Sequence, residues 1–537
     1  MHTASYDERL RHRAGEMLAG VQAPPLVYYQ YLLKFALYIA VWAFFCLFNT
    51  AEAGVPWYFQ ADAFKKFVLW SLLFEGLGLG CNSGPLGGRP KPWFTAYIYF
   101  MTPGTMKVPF IRGLPVFGRD ERSWLDAGLY ILNNLLLLRA LFAPEVLAME
   151  HVLPVVIIYG LLGLSDRAMF LASRPEQYLY LAVCFLFAED WVAGSKWVQF
   201  AIWMGAGISK LNHMFPYTII GLAANHPLLR RFPKVKEVLV RSPTDLRPSA
   251  LCRWITYGGM VVEVACPVLL ALGDGGWVTT AALIIMFLFH LNIIMSVPQA
   301  VPVEWNIFVI YSMLFLFGHH AGTTMVVESA GLSAFLLFTL VGLTVLGNLA
   351  PRFVSFLISM RYYAGNWALS IWYFRGTEAM DKVAAIPVAV QPFRMGRKGA
   401  LIPPLVQQYL MSRRRSRTLQ LTGRSLQILG PRAVGGKENL PLYAGITGET
   451  IAGRLLGWNF ADGHIHDERL LRSVQERCGF GEGELIHLFI ESQPLHRFAV
   501  EYRITDAAKG LVERGEVPIA DLRELNAWDE DLQDRQA

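Results

Sequence analysis

The chain has 537 residues, of which 54% are hydrophobic and only 17% are charged. Soluble domains usually carry about a quarter charged residues, so this composition excludes a protein whose whole surface faces water. The formal net charge is +6, and the basic residues are concentrated in a few segments. The six cysteines form no C-x-x-C pair, which argues against a zinc site and against a disulfide framework.

Long apolar segments predict an α-helical polytopic membrane protein with roughly ten transmembrane helices. The predicted spans are 28–48, 66–81, 124–144, 152–164, 177–190, 197–213, 254–272, 277–297, 305–321 and 331–349. The fourth and fifth are short for a straight span and are also compatible with one re-entrant pair. The first apolar stretch is too long for the hydrophobic region of a signal peptide, so we expect an uncleaved first helix.

Basic residues alternate with these spans along the chain. They occur in the N-terminal tail, 1–27, and in the loops after the second, fourth and sixth spans, whereas the intervening loops carry almost no Lys or Arg. Cytoplasmic loops of membrane proteins are enriched in Lys and Arg. We therefore expect both termini to lie in the cytoplasm.

The character of the chain changes after the predicted transmembrane domain, 28–350. Segment 351–375 mixes apolar and aromatic residues with Arg361 and Asn366, which favours a helix lying at the membrane interface. The remainder, 376–537, is more polar and contains the alternating stretches LIHLFIES and RFAVEYRI. This alternation predicts a small cytoplasmic α+β region packed under the membrane domain.

Ionisable residues inside apolar segments are informative because they cost several kcal/mol there. Gly205 and Gly207, near the end of the sixth span, let another backbone approach closely. Lys210 follows them and serves either as a base or as a snorkelling interfacial cation. His290 lies past the middle of the eighth span and bonds either a ligand oxygen or a neighbouring helix. Glu263 in the seventh span needs a partner, and Lys210 is the nearest candidate by type.

Hydrogen-bonding residues also cluster between the eighth and ninth spans. Two prolines there predict a rigid re-entrant turn, which is tolerated at membrane depth only when protein or a cavity surrounds it. The residues that we assign to substrate binding are Gln299, Glu304, Trp305, Asn306, Asn292 and His213. No metal site is predicted, because the sequence HIHDE at 464–468 has ligand types without ligand spacing.

The segment FAIWMGAGISKL, which ends just after Lys210 and is followed by Gly221, resembles the vitamin K-dependent gamma-carboxylase family and its horizontally transferred transmembrane (HTTM) relatives. The later order of Glu263 and His290 is also similar, and the likeness covers 196–320. The resemblance implies that Lys210 deprotonates a reduced quinone and that His290 assists a carboxylation step. The resemblance thus implies a reduced quinone as cofactor. The residue pattern alone indicates no cofactor.

This sequence departs from the carboxylases in three ways. Ser209 stands where they have a second lysine, Phe215 and Pro216 stand where they have a tryptophan, and their large lumenal domain has no counterpart. Carboxylation of a protein glutamate is therefore not expected, and chemistry on an apolar molecule is. The rest of the chain resembles an uncharacterised family of bacterial transmembrane proteins, which implies a bacterial inner membrane.

Three functions follow from these patterns. The first is a carboxylase-like or oxygenase-like membrane enzyme in which Lys210 acts as base on a quinone-like or other apolar substrate, assisted by Glu263 and His290. The second is a transporter or lipid-handling protein, and the third is a non-catalytic scaffold. The expected partners are the lipid bilayer and a small hydrophobic substrate, with no nucleic acid; the sequence leaves a homodimer open.

Overall fold

The computed structural model describes residues 25–50, 52–80, 95–226, 228–242, 245–296, 303–362, 365–390, 420–458 and 463–525. Helices dominate as far as residue 349, and a five-stranded sheet with short helices follows. We call these two parts the membrane domain and the sheet domain.

The helices of the membrane domain are α1 (Pro25–Cys46), α2 (Ala61–Gly76), α3 (Thr95–Met101), α4 (Trp124–Phe142), α5 (Leu153–Ser165), α6 (Arg167–Ala172), α7 (Tyr180–Cys184), α8 (Trp191–Ser209), α9 (Phe215–Asn225), α10 (Pro233–Leu239), α11 (Ala250–Leu272), α12 (Trp277–Ser296), α13 (Val303–Met313), α14 (Ala330–Leu336) and α15 (Thr344–Leu349). A short hairpin of β1 (Val240–Ser242) and β2 (Asp245–Pro248) precedes α11. Short π-helical turns precede α5, follow α13 and join α14 to α15.

Five helical segments among the described residues are long and apolar enough to cross a membrane. They are Trp124–Phe142, Ala148–Ser165, Ala250–Leu272, Trp277–Ser296 and Ala330–Leu349. Helix α11, for example, has 23 residues and is therefore about 34 Å long, which exceeds the hydrocarbon thickness of a bilayer. Trp254 and Trp277 are strongly exposed near the first turns of consecutive antiparallel helices, as is typical of aromatic residues at the two membrane interfaces.

The ten predicted spans are thus confirmed only in part. Two further apolar helices, Tyr31–Cys46 and Val303–His319, are shorter than the five. Helix α2 is buried along most of its length, because other helices surround it. Segment 177–190 forms no long helix: a π-helical turn and the five-residue α7 lie almost wholly inside the protein. Apolar sequence therefore marks the protein interior here as well as the lipid-facing surface.

The strands of the sheet domain are β3 (Leu369–Arg375), β4 (Tyr443–Thr447), β5 (Leu485–Ile490), β6 (Ala499–Asp506) and β7 (Gly510–Pro518). They form an antiparallel sheet in the order β4-β3-β5-β6-β7. Its helices are α16 (Gly376–Ala384), α17 (Leu421–Ala433), α18 (Gly448–Leu455), α19 (Glu468–Cys478) and α20 (Ile519–Glu524).

The interfacial helix predicted for 351–375 is wrong. Residues 369–375 form β3, which lies inside the sheet with six of its seven residues buried. Its sequence, LSIWYFR, is rich in aromatic and branched side chains, which favour a strand that is covered on both faces. The small sheet region that the sequence predicted is confirmed, and it begins earlier in the chain than the sequence indicated.

The two domains share one hydrophobic core. Trp372 and Leu455 of the sheet domain belong to the same buried cluster as Trp203 and Phe308 of the membrane domain. Across the junction, Arg122 donates to the carbonyl oxygen of Leu456 at 3.0 Å. The sheet domain is therefore docked directly against the membrane helices.

Candidate functional site

A cavity of about 490 Å³ lies among α8, α9, α11, α12 and α13. Most of its wall is apolar, as in pockets that bind small organic molecules. Its polar lining residues include Lys210, Glu263, His290, Asn292 and Asn306. The cavity is therefore lined by six of the residues that the sequence singled out, namely these five and Trp305.

Small residues on α8 bring this helix close to its neighbours. A Cβ atom on Gly205 would lie 2.7 Å from the Cβ of Met360, and one on Gly207 would lie 2.6 Å from Cγ2 of Val264. The close approach expected from the glycines is therefore present, because a side chain at either position would force a neighbouring atom to move. Val264 follows Glu263 on α11. The contact at Gly207 therefore brings α8 and α11 close enough for Lys210 to reach Glu263.

Lys210 lies directly after the last residue of α8, and its ammonium group is bonded to Oε2 of Glu263. Both side chains are almost fully buried. The Nζ atom also lies 5.3 Å from the ring centre of Phe215 and 5.9 Å from that of Phe289. Aromatic faces attract a desolvated cation. The side chain therefore points into the cavity and does not snorkel to the membrane surface.

His290 faces the same cavity, but both of its ring nitrogens contact protein. The indole Nε1 of Trp203 donates to Nε2 at 2.9 Å. Because indole is only a donor, Nε2 accepts, and the hydrogen-bond network assigns the proton to Nδ1, which donates to Oδ1 of Asn306 at 2.7 Å. The arrangement holds His290 in its neutral tautomer and links α8, α12 and α13.

The remaining predicted binding residues are divided. Asn292, Trp305 and Asn306 line the cavity. Glu304 does not: its Oε2 lies 3.0 Å from Nζ of Lys34 on α1. Consecutive helical residues point about 100° apart. Glu304 therefore faces α1, whereas Trp305 and Asn306 face the cavity.

His213 does not line the cavity either. The chain turns after the end of α8 and carries His213 toward the sheet domain, where its ring lies 5.8 Å from that of Phe498. His213 therefore does not share the cavity with Lys210, and its assignment to substrate binding stays a prediction. Gln299 falls outside the described residues, so its assignment stays a prediction.

A buried ion pair supports the wall behind Trp305. The guanidinium carbon of Arg174 lies 4.0 Å from the ring centre of Trp305, and Nε of Arg174 contacts Oε1 of Glu176 at 2.8 Å. Tyr362, which lines the cavity, donates its hydroxyl to the same carboxylate at 3.0 Å. The wall is therefore fixed by several contacts rather than by one helix alone.

Several cavity residues were missed from the sequence, above all Trp203, Thr256, Phe289 and Tyr362. A signal existed for Trp203, because it precedes Lys210 by seven residues and therefore shares its face of the helix. Tyr362 offered no local signal, since it reaches the cavity from a segment about 150 residues after Lys210 in the chain.

The chain belongs to a family described as a transmembrane protein of unknown function (DUF3556), whose model matches residues 1–535. No curated protein and no solved structure matches it. The family establishes a transmembrane protein and assigns no activity, so function must be argued from the cavity.

Proposed function

We propose that the protein is a membrane enzyme that acts on a lipid-soluble molecule held in this cavity, with Lys210 as its acid–base residue. The observation that carries the proposal is the position of the Lys210–Glu263 pair in the wall of one largely apolar cavity. An apolar wall suits a molecule that enters from the bilayer, and ionisable residues at such depth are functional candidates.

The charge pair suggests how the site acts on a proton. In apolar surroundings, transfer of a proton from Lys210 to Glu263 converts the ion pair into a neutral amine and a neutral acid. The amine then accepts a proton from a weakly acidic group of the substrate, such as a hydroxyl, and becomes an ammonium ion again. The developing substrate anion lies beside this cation, which stabilises it.

His290 acts in this proposal as a positioning residue. Because both of its ring nitrogens are bonded to Trp203 and Asn306, it orients these two cavity-lining side chains. Direct assistance by His290, which the sequence suggested, requires one of these bonds to open when substrate binds.

The finer sequence assignments belong to the same proposal. A relationship to the gamma-carboxylase and HTTM families rests on the sequence resemblance around Lys210, Glu263 and His290, and a reduced quinone is then the first substrate to test. Ten spans, cytoplasmic termini and a bacterial inner membrane rest on the pattern of apolar and basic segments.

A transporter or lipid-handling protein is the second candidate, because the same apolar cavity could hold a passenger. A scaffold has weaker support. Polar residues of the sheet domain that a scaffold could use contact other protein groups: His464 Nε2 lies 3.1 Å from Oε1 of Glu491, and Asp467 accepts from the backbone of Arg469 to cap α19. These side chains therefore stabilise the domain instead of forming an outer binding face.

The test uses protein purified in detergent and supplied with a reduced naphthoquinone in air. Mass spectrometry follows the quinone epoxide and identifies lipids that co-purify with the protein. We expect product from wild type and none from Lys210→Met. Equal turnover by the two proteins would contradict the role of Lys210, whereas a bound quinone that neither protein converts would favour the transporter.

A further inference from the structure

A second, smaller site lies where the membrane domain meets the sheet domain. This cleft of about 30 Å³ is formed by the turn after α8, the β1–β2 hairpin, the first turns of α11 and the end of α20. Its polar lining consists of His213, Tyr217, Arg241, Arg253, Tyr257 and Arg523, with one carboxylate, Glu524. We call it the basic cleft.

The positive charge of the basic cleft is only partly neutralised. Glu524 is paired with Arg247 at 3.0 Å, outside the lining. Arg241 lies 3.8 Å from Asp245, a carboxylate that Arg247 already holds at 2.7 Å. Within the part of the chain that the structure describes, the guanidinium groups of Arg253 and Arg523 have no ion pair and no hydrogen bond.

The basic cleft lies at the first turn of a helix that is long and apolar enough to span a membrane. Arg253 is in the first turn of the membrane-spanning helix α11, beside Trp254, which is 78% exposed. Leu251 and Ile255 on the same turn are also half exposed. Tryptophan with apolar neighbours at the end of a span is typical of the boundary between hydrocarbon and headgroups. A headgroup of the surrounding bilayer therefore reaches the cleft without leaving the membrane.

We propose that the basic cleft binds a phosphate group, and that its source is the headgroup of an anionic lipid. Guanidinium groups bind phosphate through paired hydrogen bonds, and the anionic leaflet supplies phosphate close to basic residues. Arg253 and Arg523 provide the free forks, and the hydroxyl of Tyr257 provides a further donor. Arg247 is bonded to both carboxylates nearby, Asp245 and Glu524. Arg241 lies beside Asp245 and balances the second negative charge, so these two carboxylates do not offset Arg253 or Arg523.

The site joins the two domains. Arg253 belongs to the membrane domain, whereas Arg523 belongs to α20 of the sheet domain. The buried guanidinium of Arg424 fixes this junction by donating to the carbonyl oxygens of Leu246, at 3.2 Å, and Leu525. A phosphate held by both arginines therefore bridges a junction that is already assembled.

The experiment counts bound ligands on the full chain by native mass spectrometry in detergent. The ligands are short-chain phosphatidylglycerol, short-chain phosphatidylcholine and inorganic phosphate. The proteins are wild type, Arg253→Gln, Arg523→Gln and the control Arg472→Gln, which removes the same charge from an exposed position on α19 outside the cleft. Arg253→Lys retains the charge but loses the planar fork, and Tm is measured for every variant.

We expect wild type and Arg472→Gln to retain one phosphatidylglycerol in preference to phosphatidylcholine. Loss of one arginine fork weakens this binding about tenfold in Arg253→Gln and Arg523→Gln, with Arg253→Lys between these variants and wild type. One inorganic phosphate bound in place of lipid, with the same dependence on the arginines, would support the phosphate site and assign it to free phosphate. Equal binding by all the variants, or an equal loss in Arg472→Gln, would overturn the proposal.

Discussion

Two buried lysine–carboxylate pairs lie in different regions of the membrane domain and have different surroundings. At the base of α4, Lys107 contacts Oδ1 of Asp126 at 2.8 Å and donates to Ser165 at 2.6 Å. The other oxygen of Asp126 accepts from the backbone and hydroxyl of Ser123, at 2.6 and 2.8 Å, in a helix capping box. Lys210 and Glu263 instead contact each other beside two aromatic rings and a cavity.

The comparison shows that a buried charge pair is not by itself a functional signal. Around Lys107, protein groups supply the hydrogen bonds, and the side chains are enclosed. Around Lys210, the polar pair borders space that a small molecule can enter. A lysine pair that is fully bonded stabilises the fold, whereas one that faces a cavity can exchange its partner or its proton.

The largest effect is expected at the cavity pair. Lys210→Met should lower turnover of the lipid substrate by about 10²- to 10⁴-fold, because an acid–base group contributes roughly that much. The single change also leaves Glu263 buried without its cation. The double variant Lys210→Met with Glu263→Leu should recover thermal stability and remain inactive. An inactive single variant whose activity returned together with stability in the double variant would show that the pair is only structural.

At the enclosed pair, the expected effect is on folding. Lys107→Met should lower the free energy of unfolding by about 3–5 kcal/mol, since it leaves a buried carboxylate without its cation. Adding Asp126→Leu should not restore stability, because Asp126 also caps α4 through Ser123. Thermal unfolding of both variants measures this, and full recovery in the double variant would make the two pairs equivalent.

Two adjacent glycines on α11 test whether the cavity itself matters. An added Cβ meets no atom within 4 Å at either Gly258 or Gly259, but only Gly259 lines the cavity. Gly259→Leu should reduce lipid binding about tenfold by occupying cavity space, whereas Gly258→Leu, which faces outward, should bind as wild type does. Quantitative mass spectrometry of co-purified lipid gives the comparison, and equal binding by both variants would place the ligand elsewhere.

The smallest effect is expected at a buried carboxylate of the sheet domain. Burial alone would raise the pKa of Asp467, but the charge and hydrogen bonds of Arg469 outweigh it and lower the pKa below 3.8. The lowered pKa means that the stabilisation is present above the unfolded value and is lost as pH falls through the folded one. Asp467→Asn keeps a good helix cap, so it should cost only about 1–2 kcal/mol at neutral pH.

This cost should begin to shrink as the pH falls below about 4, where the unfolded chain binds a proton at Asp467, and should be smallest once the folded carboxylate is protonated as well. Thermal unfolding of wild type and Asp467→Asn, followed from neutral to acid pH, measures the difference. A difference that stayed constant with pH would mean that the charge of Asp467 contributes nothing.

The sequence alone determined the class of the protein and the identity of the main candidate residues. Apolar length established a membrane protein, because the bilayer thickness fixes how many apolar residues a helix needs. Lys210, Glu263 and His290 could be selected from the sequence because placing an ionisable side chain in apolar surroundings costs free energy, whether those surroundings are lipid or protein. The glycines on α8 predicted the close helix contact for a similarly local reason, namely the absence of a side chain.

The tertiary structure alone decided which of these residues share a site. Segment 177–190 is as apolar as a span but lies inside the protein. The sequence of β3 predicts an interfacial helix, but these residues form a strand within a sheet. Apolar residues leave water equally well in lipid and in a protein core, so hydropathy cannot separate the two. The turn that carries His213 into the basic cleft, and the helix contacts that join Lys210 to Glu263, depend on packing between segments far apart in the chain.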